Sequence, residues 1–575
     1  MALRPRVPPS ARAFTAPFSC AFVAAWVFVN AGCTAEVDGV KLPGKASGGA
    51  AGSTGAATGA GASGATGGAS AGAGGASAGA STTGGSAGKS SSGGSAGTGG
   101  DAPAAGPAQP GFARLTRAEY AATVREALGV EPDLSLIPVD GRVGAYTSNA
   151  ETSPDPVHPY LLAAEDLALA AIPAELPSCS GSEAADCLET NYRAPIERLY
   201  RRTLSDAELA AAVAMHAELE AAGLSADDAT RAVLTRALLD PEFLFRSAPL
   251  GASEDEQGRR VAQHLSYLLW DAPPDAELDA AATGPAAELG ARLRDQTARF
   301  TSDARAVPIV ARFLAQWLRV DTDLKLEDPE FEDSSVYREL LAFAEDALAQ
   351  DLSVQSLVLG TRGFVARDNF EAYGLDELPG DAEVEAVTWD ADSPRRGLLG
   401  EELFLDATRH PDPSRRAIFR GRLIRTSFLC DDIPAPDAAL LALNEEVTDR
   451  TVDTRCAGCH LLMDPVGHAF AGLDLDHEGD VPPAELLEHP EVAGTYEDLP
   501  ALLEAVGQSQ AFASCFSRHF LSFFLEQPLA ASDPAWVAEL ASAIEDGAGL
   551  RAVIELSVEA LATRTIEATP WCEGP

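Results

Sequence analysis

Hydrophobic residues recur at helical spacing through most of the chain beyond about position 110. Between 258 and 270 the apolar side chains fall three or four residues apart, as Val261, Leu265, Leu268 and Leu269. This spacing is typical of an amphipathic helix, and further helices are expected at 286–300, 302–319 and 334–351. Strand-like alternation is scarce, with 354–359 and 383–389 as candidates for short strands. The pattern predicts a mostly α-helical protein.

Capping residues mark where several of these helices begin and end. Thr116 and Glu119 have the spacing of a capping box, and Gly129 is expected to end the helix that they start. The segment at Ser205 repeats the capping-box pattern, and Ser225 is expected to cap a further helix.

The N-terminus resembles a bacterial lipoprotein leader over residues 1–33. Arginines precede an apolar stretch at 17–29, which is the length of a signal peptide and short for a transmembrane helix. Small residues then precede Cys33, the predicted lipidation site. Thr34 follows it, and the absence of Asp there favours the outer membrane. Export to the periplasm or outer membrane, with a lipid anchor, is therefore expected.

A low-complexity segment separates this leader from the helical part. Residues 34–109 are dominated by Gly, Ala, Ser and Thr, which offer too little apolar surface to fold, so they predict a disordered linker. The rest divides into a short N-terminal helical module and four larger units, expected at 110–150, 175–250, 255–390, 391–485 and 490–570.

The chain is strongly acidic. It has 86 acidic and 42 basic residues, a formal net charge of −44. No basic stripe is visible, which excludes a phosphate-binding surface of the kind that nucleic-acid-binding proteins need. Such a charge keeps a protein soluble, and it would also attract a basic partner protein.

The strongest chemical signal is a C-x-x-C-H motif at Cys456, Cys459 and His460. This pattern is typical of covalent c-type haem attachment, with two thioether bonds and a proximal histidine on the iron. The motif also fits a redox C-x-x-C, half of a zinc site or a disulfide. Because the chain has no second C-x-x-C, one covalent haem c is the favoured interpretation.

The sixth iron ligand is open at this stage. His477 and His519 are the first candidates, whereas Met463 is less favoured because it lies three residues after His460 and shares its helix face. A five-coordinate iron is the alternative, and it would allow binding of a small ligand or peroxide chemistry.

The segment after the motif is expected to turn. Asp464 is expected to shape a turn that Pro465 and Gly467 complete, since proline fixes φ and glycine accepts a positive φ.

The remaining cysteines suggest disulfides, which persist in exported proteins. Cys179 and Cys187 would close a small loop and are the first candidate pair, followed by Cys430 with Cys515. Sequence alone does not fix this connectivity.

Several blocks in order resemble the planctomycete-type cytochrome c family and its companion domains of unknown function. They are LTRAEYAATVREALGV, YRRTLSDAEL, HLSYLLWDAPPDAEL, FLAQWLRVD, RRGLLG, FRGRLIRTSFLC and CAGCHLLMDPVGHAFAGLD, and the resemblance covers most of 112–565. It implies haem and a small C-terminal cytochrome c-like domain. The chain departs from the family at Gly479-Asp480, where the family has an Arg. If that Arg holds a haem propionate in the family, the pair Arg415-Arg416 is a candidate to hold it in this chain.

Together these patterns predict an exported, lipid-anchored, monohaem c-type protein that exchanges electrons with a redox partner protein. Two alternatives stay open: a haem-dependent oxidoreductase or peroxidase-like enzyme with an open iron site, and a cell-surface binding or scaffold protein. No other catalytic motif is visible, such as Gly-x-Ser-x-Gly or His-Glu-x-x-His.

Overall fold

The computed structural model describes residues 113–149, 157–175, 179, 184–246, 253–320, 334–434, 440, 447 and 449–567. The predicted leader, the lipidation site Cys33 and the linker lie outside these residues. The described part is mostly helical, as predicted. Within it, no helix is long and apolar enough to cross a membrane.

The helices of the first half follow one another with short connections. They are α1 (Arg117–Leu128), α2 (Val157–Glu175), α3 (Ala184–Tyr200), α4 (Asp206–Ala221), α5 (Ala226–Leu238), α6 (Pro241–Leu244), α7 (Glu254–Trp270), α8 (Ala276–Ala282), α9 (Leu289–Arg294), α10 (Thr297–Ser302) and α11 (Ala306–Trp317).

The second half contains the remaining helices and most of the longer strands. The helices are α12 (Ser335–Ala349), α13 (Ser356–Leu359), α14 (Glu402–Ala407), α15 (Pro413–Leu423), α16 (Ala457–His468), α17 (Leu499–Gly507), α18 (Gln510–Phe524), α19 (Pro534–Glu545) and α20 (Leu550–Glu567). Four antiparallel pairs of strands accompany them: β1 (Ala113–Arg114) with β4 (Phe245–Arg246), β2 (Arg142–Val143) with β3 (Tyr146–Thr147), β5 (Arg362–Ala366) with β6 (Val384–Thr388), and β7 (Ala484–Leu486) with β8 (Gly494–Tyr496).

Local signals in the sequence placed several of these elements correctly. Both predicted capping boxes form, and Gly129 ends α1 in the left-handed conformation. The predicted strand at 383–389 is confirmed as β6. The predicted strand at 354–359 is wrong, because its buried apolar residues form the helical turn α13. A short buried apolar run has the same composition in either structure.

Buried side chains form two hydrophobic clusters. The first is built from α1 to α6. The second extends from α7 to α20 and includes the strands of the second half. Tyr267 of α7 belongs to the first cluster, where its hydroxyl hydrogen-bonds to the Thr123 hydroxyl of α1 at 2.6 Å. This contact joins the two clusters.

The second cluster contains an aromatic seam between α11, α18 and a single π-helical turn, Ile424–Phe428. Trp317 stacks on Phe428 with ring centroids 4.7 Å apart, and its indole N–H donates to the Ser427 carbonyl at 2.9 Å. The seam fixes the end of α15 against the C-terminal helices.

Two disulfides occur among the described residues. They join Cys179 with Cys187 and Cys430 with Cys515, the same pairs that the sequence suggested. The second pair ties the end of the π-helical turn to α18 across 85 positions of sequence.

Candidate functional site

The C-x-x-C-H motif forms the first turn of α16. Cys456 lies at the N-cap position, and Cys459 and His460 follow within the helix. Both cysteines are half-buried, and among the described cysteines these two carry no disulfide. Two free thiols and an imidazole are therefore presented together at one helix end.

A carboxylate orients the imidazole of this motif. The Nδ1 atom of His460 lies 3.0 and 3.1 Å from the two carboxylate oxygens of Asp464, one helical turn later. With Nδ1–H donating to this carboxylate, the lone pair of Nε2 is free to bind a metal. Asp464 therefore orients the histidine, which the sequence did not reveal.

The expected turn after the motif is absent, because α16 continues through Pro465 to His468. Gly467 of α16 and Gly421 of α15 instead allow these two helices to pack closely against each other. A Cβ atom on Gly467 would lie 1.8 Å from the Ala417 carbonyl oxygen, and one on Gly421 would lie 1.8 Å from that of Met463. The two contacts show that the helices are antiparallel, with backbones in direct contact.

Replacing Gly467 with Ala is expected to destabilise the fold by about 1–3 kcal/mol, because the new methyl group meets rigid backbone. Thermal or denaturant unfolding measures this change. Gly458→Ala is the matched control on the same helix, since no atom lies within 4 Å of its Cβ position. Alanine there is expected to be neutral or slightly stabilising. Equal effects at the two positions would contradict the close-packing interpretation.

Arginines of α15 are anchored to the segment that follows α16. Arg420 makes a bidentate pair with Asp474 at 2.7 and 2.8 Å. Arg416 makes a second with Asp476 at 2.6 and 2.7 Å. Because the guanidinium of Arg416 is already engaged, it is a poor candidate for holding a haem propionate.

The three candidate distal ligands lie in different surroundings. Met463 is buried in the α15–α16 packing, and His477 is exposed. His519 is fully buried on α18, where its Nδ1 lies 2.8 Å from the Tyr146 hydroxyl. Burial is the main cause that lowers the His519 pKa to about 3, so its imidazole is neutral. The identity of the sixth ligand stays a prediction.

Large apolar side chains are exposed on the elements that carry and flank the motif. Leu461, next to His460, is 43% exposed, Phe419 of α15 is 50% exposed, and Val452 is 74% exposed. Apolar surface of this kind is what an apolar prosthetic group covers. The thiols, the oriented histidine and the exposed apolar side chains together fit a covalently attached haem.

Sequence reasoning missed a buried ion network between the two ends of the described chain. Arg246 donates to both carboxylate oxygens of Glu526 at 2.7 and 2.8 Å, and its other nitrogen lies 3.6 Å from Glu119. Ser148 and His264 also contact Glu526, at 3.0 and 3.5 Å. These residues are scattered along the sequence, so no spacing pattern reveals them.

A second buried network links α12 to the start of α14. The Tyr373 hydroxyl lies 2.8 Å from a Glu339 oxygen and 3.0 Å from a Glu401 oxygen. The same hydroxyl accepts the backbone N–H of Glu402 at 3.0 Å. Two glutamate carboxyls and one backbone N–H thus converge on one phenol, again without a sequence signal.

Three family models match the chain. The model PSD3, a protein of unknown function (DUF1587), matches 113–173; PSD4, a protein of unknown function (DUF1592), matches 257–375; and PSCyt3, a protein of unknown function (DUF1588), matches 395–481. All three are planctomycete cytochrome c-associated domains. The chain therefore matches three domains of the planctomycete cytochrome c-associated kind. The predicted resemblance is confirmed.

Within the family's domains, the C-x-x-C-H motif lies inside the PSCyt3 match, together with α15, α16 and the aspartates that pair with Arg416 and Arg420. The Glu339–Tyr373–Glu401 network instead joins the PSD4 match to the PSCyt3 match. No curated protein and no solved structure matches the chain.

Proposed function

We propose that this protein is an exported monohaem c-type protein whose PSCyt3 region transfers electrons. The observation that carries the proposal is the first turn of α16, where two free thiols adjoin a histidine whose Nδ1 is held by a carboxylate. Cys456 and Cys459 would attach the haem, and Nε2 of His460 would be the proximal iron ligand.

The residues around the motif would then hold the haem-binding side chains in position. Asp464 orients the imidazole and raises its basicity, and the glycine contacts between α15 and α16 hold the motif helix in place. The exposed Phe419 and Leu461 would pack against the haem faces or its edge. When bound, the haem supplies one-electron redox chemistry.

The proposal includes the lipid anchor at Cys33, location at the outer membrane or in the periplasm, and a redox partner protein. The charge of −44 supports a basic partner, whose association would weaken as salt is added. The same negative charge would repel the phosphates of nucleic acid, so it does not support a nucleic-acid partner.

A pyridine haemochrome spectrum tests the proposal. The full chain, exported by a host with c-type maturation machinery, is expected to give a c-type spectrum that survives acid–acetone extraction. A variant with Cys456→Ala and Cys459→Ala is expected to lose covalent haem completely. Absence of covalent haem in folded parent protein would refute the electron-transfer proposal, whereas a high-spin spectrum with peroxidase turnover would favour the open-site enzyme.

Asp464→Asn is expected to keep the hydrogen bond to His460 but to remove the negative charge. A less basic imidazole stabilises oxidised iron less well, so the midpoint potential is expected to become more positive. A spectroscopic redox titration measures this shift. His468→Gln, at the exposed end of the same helix, is the control and is expected to leave the potential unchanged. A potential that stays the same in Asp464→Asn would contradict the orienting role.

A further inference from the structure

A second group of potential metal ligands lies outside the C-x-x-C-H motif, at the end of the π-helical turn. The sulfur atoms of Cys430 and Cys515 and a ring nitrogen of His519 all lie within 4.8 Å of one another. Two sulfurs and an imidazole are the ligand types that Zn²⁺ prefers. In the structure the two sulfurs are joined as a disulfide, so they are not available as thiolates.

Burial distinguishes this group from a chance surface cluster. His519 is fully buried and Cys515 is 1% exposed, whereas Cys430 is partly exposed. A dithiol reductant would therefore approach from the Cys430 side. On the inner side, the Trp317 indole donates to the Ser427 carbonyl, which lies 3.5 Å from the Cys515 sulfur, and Trp317 packs against Phe516.

The hydrogen bonds of His519 also suit a metal ligand. Its Nδ1 lies 2.8 Å from the Tyr146 hydroxyl, which can accept a hydrogen bond from it, and its Nε2 is a buried atom with no hydrogen-bond partner among the described residues. A histidine that is oriented through one ring nitrogen and leaves the other nitrogen free is the form that binds metals.

We propose that reduction of the Cys430–Cys515 disulfide converts this group into a Cys₂His site for Zn²⁺. A dithiol reductant supplies two electrons and two protons: the S–S bond breaks, two thiols form, and the reductant becomes a cyclic disulfide. Zn²⁺ then binds both sulfurs and His519 and displaces the two thiol protons. Two thiolates neutralise the charge of Zn²⁺, which suits an apolar interior.

The three residues already lie close enough to share one metal ion, since their ligand atoms are within 4.8 Å of one another. Zn–S bonds of about 2.3 Å place two sulfurs up to about 4 Å apart, so the sulfurs that the disulfide now joins would have to separate after reduction. The fourth position would be filled by water or by a backbone carbonyl. The Ser427 carbonyl is a candidate, since it lies 3.5 Å from the Cys515 sulfur. The inference does not depend on haem at Cys456 and Cys459.

The test uses the full chain with Cys456→Ala and Cys459→Ala, which removes the thiols of the C-x-x-C-H motif, and with Cys179→Ala and Cys187→Ala, which removes the other disulfide that the reductant would open. The protein is reduced anaerobically with dithiothreitol, freed of reductant and titrated with Zn²⁺, and Co²⁺ serves as a spectroscopic probe of thiolate ligation. We expect one Zn²⁺ per reduced chain, none per oxidised chain, and sulfur-to-cobalt charge-transfer absorption. Near-UV circular dichroism shows whether the reduced chain is folded.

His519→Gln is expected to weaken Zn²⁺ binding at least about tenfold. His216→Gln is the matched control, since His216 is also buried and hydrogen-bonded through Nδ1 to a tyrosine, Tyr192, at 2.7 Å. It is expected to bind Zn²⁺ like the parent. The proposal is overturned if the folded, reduced chain binds no Zn²⁺ or if the oxidised chain binds it equally well. It is also overturned if His519→Gln binds Zn²⁺ with unchanged affinity, or if only an unfolded chain binds the metal. Should His519→Gln not fold, the Co²⁺ spectrum of the parent decides, because imidazole and thiolate ligands give distinct absorption.

Discussion

Replacing Arg246 with Ala is expected to lower the free energy of unfolding by about 3–5 kcal/mol. Arg246 is 3% exposed and neutralises Glu526, which is also nearly buried and accepts hydrogen bonds on both carboxylate oxygens from one guanidinium nitrogen. Burial raises the Glu526 pKa, but the charge of Arg246 is the largest influence that lowers it, and the net shift is downward. Without the guanidinium, this carboxyl would stay in the interior beside Ser148 and His264, where it would have to remain ionised or take up a proton.

The same arginine links distant parts of the chain, which is why its loss is expected to lower the stability of the whole fold and not of one local segment. Arg246 lies on β4, Glu119 on α1, and Glu526 directly after α18. Burial, opposed by Arg246, leaves the Glu119 pKa raised to about 7, so this carboxyl can become neutral when the arginine is removed. Without Arg246, burial would raise the Glu526 pKa as well, and holding a proton on Glu526 at pH 7 costs free energy because the unfolded chain keeps this group ionised.

Chemical denaturation at pH 7 measures the effect. Arg125→Ala is the matched control, because Arg125 pairs with Glu131 on the surface, where the side chains are 55% and 68% exposed. Its loss is expected to cost less than about 1 kcal/mol. Arg246→Lys keeps the charge without the planar guanidinium that faces Glu526 and Glu119 with different nitrogens, and its effect is expected to be intermediate. If Arg246→Ala costs no more than Arg125→Ala, the network does not stabilise the fold.

A comparison of the helix starts with the Arg246–Glu526 pair shows which contacts can be predicted from the sequence. Helix starts at Thr116 and Ser205 depend on residues three positions apart, so local patterns predict them correctly. Arg246 and Glu526 are 280 positions apart, and nothing in their neighbourhoods distinguishes them from surface charges. Their pairing follows from how whole helices pack, which no local pattern contains.

The candidate site divides in the same way. The C-x-x-C-H motif is a contiguous pattern, so the sequence could propose it directly. The roles of Asp464 and Gly467 depend on α16 continuing past Pro465 and lying against α15. Proline and glycine together usually indicate a turn, and here helix packing prevails over that local preference.

The second large expected effect concerns the pH dependence of stability, and it follows from the number of protons that the Glu339–Tyr373–Glu401 network must hold. The Tyr373 hydroxyl has one proton, and the Glu402 N–H already uses one of its acceptor positions. It can donate to one glutamate only. For both short contacts to be hydrogen bonds, the other glutamate must carry a proton.

The surroundings agree with a retained proton. Burial is the first cause that raises the pKa of Glu339 to about 7 and that of Glu401 to about 8. After burial, the charge of Glu339 raises the Glu401 pKa further, whereas Arg395 lowers it. The charge of Glu402 raises the Glu339 pKa. Asn369 also donates to Glu339, at 3.0 Å, but a neutral amide does not replace the missing cation.

These shifts determine how stability depends on pH. The folded state holds the protons more tightly than the unfolded chain, whose glutamates titrate near 4.5. Their contribution is therefore complete below pH 4.5 and is lost as the pH rises through 7 and 8. Each such proton makes the free energy of unfolding fall by up to about 1.4 kcal/mol per pH unit in this interval.

Glu401→Gln is expected to flatten this slope and to make the protein more stable than the parent above pH 8. The amide oxygen can accept the Phe364 N–H as Glu401 does, and the amide N–H can donate to Tyr373, which then donates to an ionised Glu339. Denaturant unfolding at several pH values measures the slope. Glu371→Gln, an exposed acid beside Tyr373, is the control and should leave it unchanged.

The double variant Glu339→Gln, Glu401→Gln separates proton sharing from a general benefit of removing charge. Both amides would then direct N–H groups at Tyr373, and its own proton would have only the Phe364 carbonyl, 3.5 Å away, as acceptor. Flipping either amide would exchange its oxygen and its nitrogen. Its N–H would then face the backbone N–H of Phe364 or Ala366, and two donors would lie against each other. We therefore expect the double variant to be less stable than the sum of the single changes by about 1–3 kcal/mol. Additive or mutually stabilising substitutions would show that the two carboxyls do not share a proton through Tyr373.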